Sequence, residues 1–513
     1  VVDTCTYVTA VMREFTGATA DSDSIAVPAQ IGVAGNRVRV HRGCRGSGHI
    51  LLEFDLFVTA SASGPFEAAR REIEARKRTA ALVTYLKAGV PEFRDAFFAA
   101  SSFELKGRST PRMAGPDPAW ASGLAGLAVR VHGVALPLPC LAGPLKGIWC
   151  LNPAARVPPS AASVFDSPWP AGVAGEEFAV VAARNWERVA RSGSDAVPAE
   201  DDAGVVAGRG LVVRELASPQ PGRAYKMVRA PERNIPVISD VDVLVAGGGT
   251  SGATAAAVAA REGLKVLLLE MNPALGGTGT LGGVNSYWFG RRTAFNLRVN
   301  NAVQRFHSAF GYKPKNPGRH QQNWSVEAKT QALLEQVSDA GAEVLFNVTA
   351  IGVILDGNRV RGVVFATRHG LRAALAKVMI DATGDGDIAA FAGAEFTYGS
   401  ALDHFDMWYN LAAMKEPGQP SNSFTTSVEI SNVEDYTRAI LAARRRVPDC
   451  HDHGIYVAPR ESRHIRGDET ITLTDQLRQR AWPDVVNIHY SNHDIKGKSC
   501  SPWLNAGLIP PEL

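Results

Sequence analysis

Gly247, Gly249 and Gly252 stand in the run Asp242-Val-Leu-Val-Ala-Gly-Gly-Gly-Thr-Ser-Gly, and Glu270 closes the next apolar run, Lys265-Val-Leu-Leu-Leu. These residue types at this spacing bind phosphate and ribose. Gly247 permits a tight turn, Gly249 lets backbone approach a pyrophosphate, and Gly252 lets a helix sit close to its strand. Thr250 and Ser251 open that helix, whose N-terminal N–H groups and positive dipole end favour an anion. Glu270 supplies a carboxylate that accepts from both ribose hydroxyls and disfavours a 2′-phosphate. A glycine turn without nucleotide is the alternative. Strand, turn, alanine-rich helix (Ser251 to Arg261), second strand and terminal acid all agree, and they predict a dinucleotide-binding βαβ unit.

A second glycine-rich loop follows at once: Met271-Asn-Pro-Ala-Leu-Gly276-Gly277-Thr278-Gly279-Thr-Leu-Gly282-Gly283. The stretch from Glu343 to Phe365 alternates in polarity and turns at Asp356-Gly357-Asn358, which predicts a hairpin. Lys377-Val-Met-Ile-Asp381-Ala-Thr-Gly384-Asp385-Gly386-Asp387 predicts a strand, a turn and a helix start. In this order, the motifs over about residues 238–513 resemble those of FAD-dependent oxidoreductases with a glutathione-reductase-like fold and an "ATGDGD" element.

The resemblance implies an α/β protein with a Rossmann-like FAD-binding domain, a β-hairpin or meander insertion and an α+β substrate domain. It implies FAD phosphate and ribose contacts at Gly247, Gly249, Thr250, Ser251, Gly252, Glu270 and Met271. Gly276, Gly277 and Thr278 take the loop near the flavin, Ala350 or a strand neighbour meets adenine through its backbone, and Gly384 and Asp385 approach from the returning strand.

The segment Val457-Ala-Pro-Arg460-Glu461-Ser462-Arg463-His464-Ile-Arg466-Gly467-Asp468 resembles the family's "PRESRR" element, which faces the flavin from the substrate domain. Its charges are costly to bury unless paired or bound to an anion. An internal Arg–Glu network and a substrate contact both satisfy that demand, and both stand. Arg460 and Arg463 are the candidate clamps for an anion or oxygen. His464, His489 and His493 are the candidate bases, although a histidine among Asn and Asp is commonly a satisfied loop residue.

Before residue 238 the pattern is eroded. Val1-Val-Asp3 through Gly17-Ala18 is framed like Met379-Ile-Asp381 through Gly393-Ala394, and a helix is expected before Gly17. Gly107 to Gly115 stands where the second copy has Arg460 to Gly467, with Ser109 answering Glu461 and Pro111 answering Arg463. Ala68 to Leu86 reads as a basic amphipathic helix, and Val134 to Arg156 resembles an eroded form of the family's closing element, which implies that Val173 to Arg191 is the flavin-facing helix after it. Residues 1 to about 215 thus resemble a degenerate back half of the same family, with an unrelated α/β domain as the alternative. The expected division is 1–190 as this partial repeat, 191–237 as a linker with an edge strand near Gly210-Leu-Val-Val, 238–400 as the FAD domain and 401–513 as an incomplete substrate domain. A start at Val1 agrees with a processed or partial chain, which the erosion of the Asp385 and Glu461 equivalents favours for chemistry; for folding, the first segment could instead complete the FAD site.

The 513 residues suffice for several domains. A net charge of +3 gives no pull toward nucleic acid. The six cysteines form no CxxC pair and no metal spacing, so neither a redox dithiol nor a metal is expected. No apolar run reaches the ~20 residues of a membrane span, and cytoplasmic placement is the default. The expected reaction is hydride transfer from a small organic substrate, acidic or hydroxylated, to flavin N5. A base takes the proton, a separate acceptor takes the electrons, and an oligomer is allowed. The rival readings are a non-catalytic flavoprotein-like module, a fragment of a larger tandem flavoprotein, and a flavin-dependent hydroxylase. The last would need a nicotinamide-docking motif that is not seen.

Overall fold

A computed structural model describes residues 9–16, 24–42, 49–56, 64–101, 106–107, 124–141, 168–185, 187–188, 211–215, 234–282, 294–312, 324–398, 409–413, 422–426 and 463–465. The chain forms two compact units. The larger comprises residues 11–55, 62–105 and 204–513, the smaller residues 1–10, 56–61 and 106–203.

The larger unit opens with strands β1 (Thr9–Thr16, from Val11 onward), β2 (Ser24–Ala26), β3 (Arg37–Arg42) and β4 (His49–Phe54). Helix α1 (Pro65–Gly89) and strand β5 (Phe97–Ser101) follow. The strands form an antiparallel sheet in the order β2-β3-β4-β1-β5. The helix expected before Gly17 is therefore a strand. Thr9-Ala-Val-Met-Arg-Glu-Phe-Thr mixes β-branched and aromatic residues that suit a pleated surface, and β1 is paired on both sides. Pro65 occupies the first turn of α1, Glu67 favours the positive end of the helix and Lys87 the negative end. Its buried residues Ala75, Thr79, Leu82, Val83 and Leu86 recur at helical spacing. The same helix buries a Glu72–Arg76 ion pair at 2.9 Å.

In the smaller unit, β6 is Lys106–Gly107, and β7 (Ala128–Val131) and β8 (Val134–Pro137) make a hairpin. Short helix α2 (Leu138–Leu141) and α3 (Pro168–Arg184) follow.

The rest of the larger unit builds a seven-stranded sheet. Its elements are β9 (Leu211–Arg214), β10 (Val237–Ala246), α4 (Thr250–Arg261), β11 (Val266–Leu269), α5 (Ala294–Phe310), α6 (Val326–Asp339) and β12 (Glu343–Leu345). Then come β13 (Thr349–Asp356), β14 (Arg359–Thr367), β15 (Gly370–Asp381) and helix α7 (Asp387–Ala392). The order is β12-β11-β10-β15-β14-β13-β9, parallel through the first four strands and antiparallel beyond. This is the mixed sheet of an α/β Rossmann-type domain with a β-meander.

Strand β15 joins the two regimes: Ala373 to Asp381 pair with β10, while Gly370 to Leu375 pair with β14. The hairpin turns at Gly357-Asn358, as its sequence indicates, but Glu343–Leu345 is not part of it. Val344 and Leu345 are buried and extend the parallel sheet beside β11. A short apolar run carries no periodicity that separates the two fates. The edge strand near Gly210 is present as β9, paired to β13.

Further on, β16 (Phe396–Tyr398) pairs with β19 (Arg463–Ile465), and β17 (Tyr409–Ala413) pairs with β18 (Asn422–Thr426). Among the described residues, no helix is long and apolar enough to cross a membrane.

Candidate functional site at the glycine turns

The parallel strands β10 and β15 end together, and three turns meet there. Gly247 takes φ +93°, and its N–H donates to the Leu269 carbonyl at 2.8 Å. A side chain at Gly247 would strike the Ala382 carbonyl, and one at Gly252 would strike the Gly247 carbonyl. The first turn therefore closes against both its own helix and the turn after β15. Ala382 N–H in return donates to the Ala246 carbonyl at 2.8 Å.

Gly249 differs. It caps α4 at φ −68°, no side chain caps the helix there, and a Cβ on it would meet no atom within 4 Å. The missing side chain leaves open space in front of the helix N-terminus, beside exposed Thr250 and Ser251. That is the shape and polarity a pyrophosphate needs.

The second glycine loop lies against the first. Gly276 N–H donates to the Gly248 carbonyl at 2.9 Å, and a Cβ on Gly277 would lie 3.2 Å from the Gly249 Cα. Gly276 (φ +105°) and Gly277 (φ +50°) turn the chain into a short 3-10 segment, Gly277–Gly279. The buried Thr280 hydroxyl donates to the Leu275 carbonyl at 2.7 Å and fastens the loop from beneath. Thr278 is left exposed on the loop.

Glu270 is 4% exposed. Its Oε2 accepts from Gly248 N–H at 2.7 Å, and its Oε1 accepts from the Asn272 backbone N–H and Nδ2, both at 2.7 Å. Burial pushes its pKa above the ordinary glutamate value, opposed by these hydrogen bonds. Its backbone is held by the β12 end, because Glu270 N–H donates to Leu345 O and Val348 N–H donates to Glu270 O. Met271 is exposed beside it. Ala350, in β13, pairs with Phe365 two residues beyond Val348.

At the third turn, Asp381 accepts from Thr383 N–H at 3.1 Å, Thr383 Oγ1–H at 2.7 Å and Ala389 N–H at 2.9 Å. Thr383 Oγ1 accepts from Asp387 N–H at 2.8 Å. Gly384 (φ +74°) and Gly386 (φ +65°) complete a turn that leaves Gly384 exposed and Asp385 half-buried.

The geometry thus brings the Gly247–Gly252, Gly276–Gly277, Glu270 and Gly384–Asp385 groups into one neighbourhood, with Ala350 on an adjoining strand. Arg463 and His464 lie in β19, opposite Tyr398 and Thr397. Arg460, His489 and His493 fall outside the described residues. Among the described residues, no group of His, Cys, Asp and Glu could hold a metal.

Sequence reasoning missed Gly248 and Asn272 as partners of Glu270, and Asp381 as the organiser of the third turn. The proximity of Asn272 and Asp381 to the glycine motifs was the available signal.

A βαβ turn of this form, backed by a second glycine loop and a meander, has the form of a Rossmann-type dinucleotide-binding domain. Residues 242–452 match the model of the family described as FAD dependent oxidoreductase. That family is named for FAD; both carboxylate oxygens of the buried Glu270 are engaged within the turn, and open space lies in front of Gly249.

A thiamine thiazole synthase of Methanococcus vannielii is 31% identical over 156 residues, which are 28% of this chain and 56% of that protein. The corresponding protein of Methanococcus aeolicus is 35% identical over 155 residues, 28% of this chain and 55% of that one. The chain spans about half the length of these curated relatives. Among solved structures, a myxobacterial FAD-dependent chondrochloren halogenase is similar at 18% identity, covering 45% of this chain and 62% of its own, with a TM-score of 0.27.

Proposed function

We propose that the chain is an FAD-dependent oxidoreductase acting on a small organic substrate. The supporting observation is the convergence of three glycine turns and a buried ribose acid around the open face of Gly249. FAD, when bound, accepts a hydride at N5. The protein's own part is to hold the diphosphate at the α4 N-terminus, orient the ribose through Glu270, and keep backbone rather than side chains against the ring at Gly276, Gly277 and Thr278.

The roles of His464, His489 and His493 as proton acceptors, and of Arg460 and Arg463 as clamps for an acidic or hydroxylated substrate, belong to this proposal. So do a separate electron acceptor and the division of the chain at 190, 237 and 400. Purified protein should carry a flavin absorbing near ~450 nm that is released as FAD, and an anaerobic screen should find a compound that bleaches it. A chain that holds FAD but is bleached by none of the hydroxylated or acidic candidates contradicts the substrate reading.

The likeness to thiamine thiazole synthases supports a second reading, a thiazole-forming synthase. That enzyme would yield a thiazole product on incubation with suitable precursors, detectable by mass spectrometry.

A further inference from the structure

A buried lysine stands behind the second glycine loop. Lys329, in the first turn of α6, is 2% exposed. Its Nζ lies 3.6 Å from the centroid of the Trp324 ring. Trp324, also buried, donates its indole N–H to the Gly279 carbonyl at 2.7 Å. A Cβ built on Gly279 would lie 3.6 Å from Lys329 Nζ and 3.7 Å from the indole edge, so lysine, indole and loop are in mutual contact.

Hydrogen bonds hold the base of this arrangement. His307 Nε2, from α5, accepts the Ser325 N–H at 2.9 Å, and Ser325 Oγ accepts the Ala328 N–H as the N-cap of α6. Trp324 therefore leaves the helix at a fixed angle. Leu333, a turn further along α6, closes on Gly276 at the other end of the loop.

We propose that Trp324 and Lys329 are positioning residues for the cofactor loop: the indole holds the Gly279 carbonyl, the lysine braces the indole, and together they keep Gly276–Gly282 in the shape that receives FAD. The inference rests on the reading of that loop as flavin-facing. A buried ammonium is an expensive way to fill volume that a methionine stem would fill as well. Seated on an aromatic face it is attracted by the ring quadrupole, which orients the indole rather than merely packing it. Burial also pulls the Lys329 pKa down to about 7, as expected for an amine in such surroundings.

The test uses the full chain with W324F, K329M and K329R, each checked by thermal unfolding. Readouts are the FAD dissociation constant from flavin fluorescence, the shape of the bound flavin band near ~450 nm, and amide exchange over residues 276–282. W324F and K329M should weaken FAD by about tenfold or more, alter the band and speed exchange in the loop. K329R should restore affinity to within about threefold of wild type.

Wild-type affinity, band and loop protection in both W324F and K329M would overturn the proposal. Equal loss in K329M and K329R would also overturn it, because the role of the charge would then be excluded. If the wild-type chain binds no FAD, the flavin reading of the loop fails separately. Exchange in the cofactor-free chain then decides the brace: loop-confined acceleration in W324F and K329M supports it, and unchanged protection removes it. Should W324F fail to fold, K329M against K329R carries the same comparison.

Discussion

Gly249 and Gly252 lie in one turn, yet substitutions there should fail for different reasons. A side chain on Gly249 meets no protein atom, and its φ of −68° is open to any residue. G249V should therefore leave the cofactor-free protein within about 1 kcal/mol of wild type while reducing FAD affinity on the order of a hundredfold. A side chain on Gly252 collides with the Gly247 carbonyl, so G252V should lower the melting temperature of the cofactor-free chain as well. Thermal unfolding and FAD titration of both variants separate the two effects, and an unchanged FAD affinity in G249V would place the pyrophosphate elsewhere.

Lys329 gives a second test at this scale. The folded protein gives up its proton near pH 7, whereas the unfolded chain keeps it until near the ordinary value of 10.5. Between those values the unfolded state binds more protons, so the Lys329 contribution to stability rises with pH and is lost as pH falls toward about 7. Urea unfolding of cofactor-free wild type and K329M at pH 7 and pH 9 should show a rise in wild type that K329M lacks. Parallel behaviour would contradict the shift.

At the scale of elements, the turn after β15 is organised by one side chain. Asp381 accepts three hydrogen bonds that tie the strand end to Thr383 and to the first turn of α7. D381A should cost about 0.5–2 kcal/mol, as the loss of an exposed cap does, and should weaken FAD through Gly384 and Asp385. Urea unfolding and FAD titration measure both effects, and a neutral D381A would remove the turn from the site.

The glycine turn and its helix were legible in the sequence because each position has a local steric reason: Gly247 for its positive φ, Gly252 for the helix contact. The edge strand β9 was legible in Gly210-Leu-Val-Val. By contrast, alternation alone runs β12 into the hairpin, and the likeness to Met379–Ala394 suggests a helix where β1 lies. Strand partners decided both, and they lie far away in the chain. Trp324 and Lys329 were invisible for the same reason, since the indole bonds a carbonyl 45 residues distant. The ribose role expected of Glu270 leaves no place in the sequence for Asn272, which holds the carboxylate through its backbone N–H and Nδ2.

For the whole molecule, the larger unit is not continuous in sequence. Glu327 on α6 accepts from the Ser101 N–H and hydroxyl at the end of β5, and Gln331 donates to the Arg76 carbonyl of α1 at 2.9 Å. Phe98 of β5 stacks edge-on against Phe310 of α5 at 5.0 Å. Residues of α1 and β5 therefore cover α5 and α6, the helix that carries Lys329. A chain begun at residue 234 would expose these buried faces. It should unfold at lower denaturant than the full chain, with a smaller m value, because it buries less surface. Equal stability of the two would mean that the N-terminal segment contributes nothing to this unit.

The direct test of the nucleotide site is the visible spectrum and FAD stoichiometry of the full chain beside G249V. Wild type should bind one FAD per chain, recoverable as FAD on denaturation, and G249V should be folded but colourless. A folded wild-type chain that stays colourless and refuses added FAD would contradict the assignment.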